Sequence, residues 1–352
     1  MPQYARIPEM REGMFYNAIN IATESSWKKL QNSKTRFESW EASWNSIGTE
    51  EKNKTNPETE WHRLKKSGVR LILSNDKEFP MLLKEIPWPP FGIYIKGELP
   101  KNGISIAVVG TRKATNEGKN AAKKFAYELA AKKVSIISGL ALGIDAAAHV
   151  GCLDAAGITI AVLANGLDSV YPKTHYSLAK KILENGGALV SEYPLEGPPF
   201  PSRFIERNRI VSGLSRGTLV VEAPERSGSL ATARFAMEQN RDVFVIPGPI
   251  SHSNFSGSNQ LIRNGAELVT KPEEILQVLG IETANSTKSR KTFGSKEEKL
   301  VFMALKDISC PADVDTLIEI TNLGIAEVNT ALSFLIIKTI VKETEDGYTL
   351  TN

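Results

Sequence analysis

The sequence has little cysteine, little histidine and little excess charge. Its two cysteines, Cys152 and Cys310, lie far apart in a chain of 352 residues. They support neither a disulfide framework nor a thiolate metal site. The four histidines are His62, His149, His175 and His252. No Ser-His-Asp, Cys-His or zinc-ligand spacing connects them, so no metal site and no catalytic residue is expected. Lysine plus arginine number 43 against 40 acidic residues, a formal net charge of +3. That balance excludes a polycationic coat that binds nucleic acid with its whole surface. The longest apolar stretches, such as Leu332–Ile337, are far too short to span a bilayer. Met1–Met10 lacks the basic start and apolar core of a signal peptide. The expectation is a soluble cytoplasmic protein with no membrane partner.

What remains is an ordinary globular composition, 41% hydrophobic and 24% charged. It is unevenly laid out. All five tryptophans fall in the first hundred residues, where the spacing is helical to about residue 66. From Ile104 to Val269 short β-branched runs recur: Ile104–Val109, Val134–Ile137, Thr159–Leu163, Ala188–Val190, Thr218–Val221, Val243–Ile246 and Glu267–Val269. Helix-like segments such as Glu117–Lys132 and Leu230–Gln239 separate most of them. Continuously apolar strands alternating with helices predict a doubly wound, mostly parallel sheet covered on both faces. The polar stretch Gly280–Ser295 reads as a linker. Beyond it, three helices and a terminal hairpin suggest a winged helix. The expected domains are therefore residues 1–68 (helical), 69–280 (α/β), 281–295 (linker) and 296–352 (winged helix).

In an open parallel sheet, ligands bind outside the carboxyl ends of the strands. Nearly every strand here ends in Gly, Ser, Thr or a charged residue. Val109 leads into Gly110-Thr111-Arg112, Ile137 into Ser138-Gly139 and on to Gly143 and Asp145, and Val221 into Glu222 and Ser227-Gly228-Ser229. Glycines let backbone amides approach a phosphate, helix N-termini add free donors, and Arg112 adds a planar fork. Neither Gly-x-Gly-x-x-Gly nor Gly-Lys-Ser/Thr appears in these loops, which argues against a nicotinamide enzyme and a P-loop ATPase. The segment Phe200–Arg216 places Arg203, Arg207, Arg209 and Arg216 around one acid, Glu206, with Phe204 and Asn208 among them. Guanidinium groups interleaved with an aromatic ring suit a single nucleic-acid strand. His149 lies four residues after Asp145, on one helix face. These two, with Glu192 and Glu222 at strand ends, are expected to brace the site, although Glu192 and Glu222 also read as a carboxylate pair.

These runs together closely resemble the DNA-processing protein A family (DprA, also called Smf). The matching segments are Val108–Arg112, Ser138–Asp145 with His149, Gly166–Pro172, Ser191–Pro194, Glu206–Ser215, Val220–Ala223 with Ser227–Ala233, and Pro247–Gly248 with Ser256–Gly265, in the family's order. The resemblance implies an extended Rossmann-like core flanked by an N-terminal sterile-alpha-motif-like domain and a C-terminal winged helix. It implies a homodimer without enzymatic activity and without a cofactor. Such a protein binds single-stranded DNA and helps load RecA during natural transformation. It places DNA contacts at Gly110-Thr111-Arg112 and at Phe204–Arg209, where Ile205 departs from the family's usual proline. The competing reading is a Rossmann-like enzyme that binds or hydrolyses nucleotides, with Glu222 and Ser227-Gly228-Ser229 at its centre. Residues 296–352 carry 5 basic and 10 acidic side chains. That is poor charge for a DNA-reading winged helix, so a protein contact or a regulatory role is expected there.

Overall fold

The computed structural model describes residues 8–100, 103–281, 293–308, 310–338, 340–344 and 347–351. Most of the expected linker, residues 282–292, lies outside the described residues. The chain forms two compact units, Met1–Ile281 and Glu282–Asn352.

The first unit opens with helices α1 (Pro8–Ala22), α2 (Trp27–Arg36), α3 (Trp40–Ser46), α4 (Thr49–Lys52) and α5 (Pro57–Lys66). Strand β1 (Arg70–Leu73), helix α6 (Met81–Lys84) and strand β2 (Gly92–Gly97) follow. The repeating part is β3 (Ser105–Val109), α7 (Asn116–Ala131), β4 (Ser135–Ser138), α8 (Ile144–Asp154), β5 (Thr159–Leu163), α9 (Tyr176–Glu184) and β6 (Ala188–Ser191). It continues through α10 (Pro201–Gly213), β7 (Gly217–Val220), α11 (Gly228–Glu238), β8 (Asp242–Val245), α12 (Ser256–Arg263), β9 (Glu267–Leu268) and α13 (Pro272–Val278).

The nine strands form one sheet in the order β1-β2-β6-β5-β4-β3-β7-β8-β9. Every pair from β6 to β9 is parallel, while β1–β2 and β2–β6 are antiparallel. The winding runs outward from β3 through β4, β5 and β6, then returns to place β7 on the other side of β3. The switch point of this doubly wound sheet therefore lies between β3 and β7.

Alternation along β3 shows why both faces are apolar. Ile106 and Val108 pack with Phe125, Leu129 and Ile144 on one side. Ala107 and Val109 pack with Ile210, Val211 and Ala233 on the other. A strand covered on both faces needs apolar residues at every position, which is the pattern the sequence shows.

Residues 1–68 are not a unit of their own. Met14, Trp61 and Leu64 share a buried cluster with Tyr94, Ala161 and Leu189 of the sheet. Tyr16 and Trp40 pack near Leu73 in another. The tryptophans of this region thus serve as core: Trp40, Trp44 and Trp61 are all buried.

The second unit contains α14 (Lys296–Ile308), α15 (Val314–Thr321), α16 (Ile325–Ile337) and the hairpin β10 (Val341–Thr344) and β11 (Gly347–Leu350). Its own core gathers Val301, Leu305, Leu317, Leu332 and Leu335. Among the described residues no single helix is long and apolar enough to cross a membrane.

Candidate nucleic-acid interface

A cleft of about 290 Å³ lies at the carboxyl ends of β3 and β7. Its walls are the β3 loop (Gly110, Thr111, Arg112), the outer face of α10 (Phe204, Ile205, Arg207, Asn208) and the start of α11 (Ser227, Gly228, Ser229). Segments more than a hundred residues apart in sequence meet here because the sheet reverses its winding at this point.

Each wall has a local cause. Thr111 N–H donates to Glu222 O at 2.7 Å, tying the β3 loop to the end of β7. Glu222, fully buried, also accepts from Thr115 N–H at 3.0 Å and from Asn254 Nδ2 at 3.0 Å, and bonds the Thr115 hydroxyl. It is a bracket for loop, helix α7 and the turn before α12. Gly143 takes φ +80°, and a Cβ there would sit 2.3 Å from Thr111 O. Only glycine allows α8 to start so close to the β3 loop. Ser227 caps α11 by accepting from Ser229 N–H at 3.3 Å. The first amides of α11 consequently border the cleft, where a helix N-terminus favours an anion.

The cationic and aromatic face is a chain of three side chains, Arg112 and Tyr171 exposed and Phe204 half-buried between them. The Arg112 guanidinium lies 5.0 Å from the centre of the Phe204 ring, and Phe204 meets Tyr171 at 5.4 Å. Arg112 has no carboxylate partner among the described residues. Its exposed fork and the ring beside it offer a phosphate contact and a stacking platform side by side.

Other expected site residues are engaged elsewhere. The Ser138 hydroxyl donates to Val108 O at 2.6 Å, and Gly139 N–H donates to the Asp145 carboxylate at 3.0 Å. Ala141 N–H also donates to Asp145, at 3.2 Å. The β4 loop thus spends its amides on its own aspartate and presents no anion cradle, although Gly139 borders the cleft. Burial raises the Asp145 carboxyl above its ordinary range, with Arg207 and these amides opposing the rise.

The arginines of α10 depart most from expectation. Arg203 donates to Pro198 O at 2.9 Å and Glu24 O at 3.0 Å, and lies between the Tyr193 and Phe200 rings. Arg209 is 1% exposed and grips both Glu192 oxygens, at 2.7 and 2.8 Å. Neither reaches the cleft. Arg207 borders it but is 4% exposed, donating to Gly139 O at 2.8 Å and bonding Val162 O. Burial lowers its guanidinium to about 10, against the pull of Asp145. These three side chains hold α10 in place; Phe204, Ile205 and Asn208 are what α10 presents. Glu192 and Glu222 serve different partners, so they are not a carboxylate pair. His149 is fully buried and bonds Thr159 Oγ1 through Nδ1 at 2.7 Å, so it braces α8 against β5 and stays outside the cleft.

Two side chains escaped the sequence reading. Arg226 is exposed and borders the cleft ahead of Ser227. Tyr171 extends the aromatic face. Arg226 carried a signal, as an arginine one residue before a predicted helix cap; Tyr171 lay in the matching run Gly166–Pro172, but nothing local ties its loop, which follows a different strand, to this cleft.

Fold and cleft together define a doubly wound α/β protein with a cationic, amide-edged groove at its switch point. Residues 70–280 match the family model described as DNA recombination-mediator protein A, and the chain belongs to that family. It is 49% identical over 211 residues to Protein Smf of Escherichia coli strain K12, covering 59% of this chain and 56% of that protein. It is 38% identical over 217 residues to DNA processing protein DprA of Bacillus subtilis, covering 61% and 73%. The chain thus spans little more than half of its Escherichia coli relative. Among solved structures, DNA processing protein A of Streptococcus pneumoniae aligns with TM-score 0.58 at 35% identity, over 68% of this chain and 80% of that one. The Helicobacter pylori protein, whose structure is described as showing a unique single-stranded DNA binding mode, aligns with TM-score 0.54 at 28% identity. That alignment covers 60% of this chain and 95% of the other.

Proposed function

We propose that this protein binds single-stranded DNA at the β3–β7 cleft, acts as a recombination mediator in natural transformation, and works as a homodimer that helps load RecA. The observation that carries the reading is the Arg112–Phe204–Tyr171 chain, exposed at both ends, beside the start of α11. A cation fork, stacking faces and the positive end of a helix match a flexible strand of phosphates and bases. The Helicobacter pylori relative supplies the ligand class, because the binding mode described for it is that of single-stranded DNA. The nucleotide-hydrolysis reading loses its central group, since Glu222 is buried and bonded to Thr115 and Asn254.

Arg112→Ala tests this. Removing one phosphate contact lowers the slope of log affinity against log salt by about 0.7, which is about 5-fold in affinity near 0.1 M salt. The melting temperature should stay put, because Arg112 is exposed. Fluorescence anisotropy with a labelled oligonucleotide reads both. Wild-type affinity and slope in the variant would remove Arg112 from the interface.

A further inference from the structure

A second cleft, of about 480 Å³, lies between α9, β2 and the loop that follows β5. Its size suits a small ligand or one residue of a polymer. The floor is apolar, made by Leu167, Leu183 and Leu189, and the rim carries Lys96, Lys173 and Lys180. Lys96 stands out. It pairs with Leu189 in register and follows Tyr94 on the same strand face, where Tyr94 is fully buried. A core position is thus given to an amine whose aliphatic stem covers the leucines while the ammonium stays near water.

The local charge leans one way. Lys180 pairs with Glu184 at 3.5 Å, whereas among the described residues neither Lys96 nor Lys173 pairs with a carboxylate. The one aspartate on the rim, Asp168, accepts from Glu196 N–H at 2.7 Å and is held by that loop. Tyr176, 65% exposed, adds a free ring at the start of α9. An apolar floor, a ring and cations at the edge suit a base with its phosphate.

The loop 170–173 links the two clefts. Tyr171 packs on Phe204 of the first cleft, while Val170 just before it and Lys173 two residues after it border the second. We propose that the Lys96–Lys173–Tyr176 cleft is a second nucleotide subsite, which takes the strand as it leaves the first cleft across Tyr171. This rests on the reading of the first cleft as a single-strand site.

The test uses the full chain and oligodeoxythymidylates of about 4 and about 16 nucleotides, the range of site sizes seen in single-strand grooves. Removing two phosphate contacts by Lys96→Ala with Lys173→Ala should flatten the salt slope for the long strand by about 1.4, or about 25-fold near 0.1 M salt. Binding of the short strand should not change. Lys173→Glu alone, at an exposed loop position, should weaken the long strand selectively and so guards against misfolding of the double variant. Wild-type affinity and slope for the long strand in both variants overturn the subsite, and so does an equal loss at both lengths. Thymidine monophosphate that binds wild type but not the double variant, with long-strand binding unchanged, would make the cleft a free-nucleotide site and also overturn the proposal. Wild-type protein that binds neither length sinks the first cleft's reading and the second with it. Arg112→Ala separates the two, since it should weaken both lengths.

Discussion

The Arg209–Glu192 pair offers the sharpest separation of holding α10 from touching DNA. Arg209 is 1% exposed and Glu192 is 7% exposed. Besides the two-pronged contact with Glu192, Arg209 donates to Trp88 O at 2.9 Å and to Glu206 O at 3.1 Å, and stacks 4.5 Å from the Trp88 ring. Arg209→Met leaves a carboxylate with little water and two carbonyl oxygens without their donor. Breaking a buried pair from one side costs about 3–5 kcal/mol. With a urea slope of about 3 kcal/mol/M, the unfolding midpoint should fall by about 1–1.7 M. Glu192→Leu alone should cost about as much, because it strands the guanidinium. The double variant should recover a large part of the loss, since replacing both charges with apolar groups is often near neutral. Urea unfolding followed by tryptophan fluorescence reads this directly, as all five tryptophans lie in the first unit. Folded Arg209→Met protein, far from its midpoint, should bind an oligonucleotide like wild type. A midpoint within about 0.3 M of wild type, or a double variant no better than either single one, would refute the assignment of Arg209 as a structural clamp. So would a loss of DNA affinity without a loss of stability.

Acid should destabilise the first unit through His149. Burial pushes this imidazole down to about 3, with His175 and Arg207 adding to the effect, and Nε2 meets no hydrogen-bond partner among the described residues. The unfolded chain takes the proton near pH 6.5 and the folded one does not, so stability falls as pH drops from there toward 3, by up to about 1.4 kcal/mol per pH unit. Asp145, whose carboxyl burial raises, acts in the opposite sense at lower pH. His149→Gln should flatten the limb between about pH 6 and 4 in urea titrations; an unchanged slope would remove His149 as its source. Deleting residues 282–352 should leave single-strand affinity and the melting of the first unit largely intact, because that unit has its own core. A large loss of affinity in gel shifts would give the acidic C-terminal unit a direct part in DNA binding.

The sheet was legible in the sequence because a strand buried on both faces must be largely apolar, and six such runs were there to read, the seventh, Glu267–Val269, forming the exposed edge β9. Its two antiparallel pairs were not, because β1 and β2 join the sheet through a Pro-rich crossing and alternation says nothing about direction. The N-terminal helices looked separate because their polar loops break the pattern locally; only the shared burial of Trp61 with Tyr94 and Leu189 shows the continuity. The Gly110–Arg112 and Ser227–Ser229 loops were legible because glycine, hydroxyl and arginine at strand ends have few other uses in combination.

The arginines of α10 show where such reading stops. Four cations in fourteen residues look like a strand-binding face, and so does a set of buried clamps, because composition is the same in both. What separates them is the partner of each guanidinium. Arg203 finds carbonyls of the α1–α2 turn and of the loop before α10, Arg207 those of the β4 loop and of strand β5, and Arg209 a glutamate at the end of β6. These partners lie from a few to about 180 positions away in the chain, and no local pattern encodes that. Buried, each guanidinium is tolerable only because its donors are met. The result is a helix fixed from three sides, and the rigidity falls where it is useful, since Phe204, Ile205 and Asn208 on the same helix face the cleft. On the proposed reading the basic cluster serves binding indirectly: it sets the position of the ring on which Arg112 rests, and leaves to Arg112 and Arg226 the charge that a phosphate would meet.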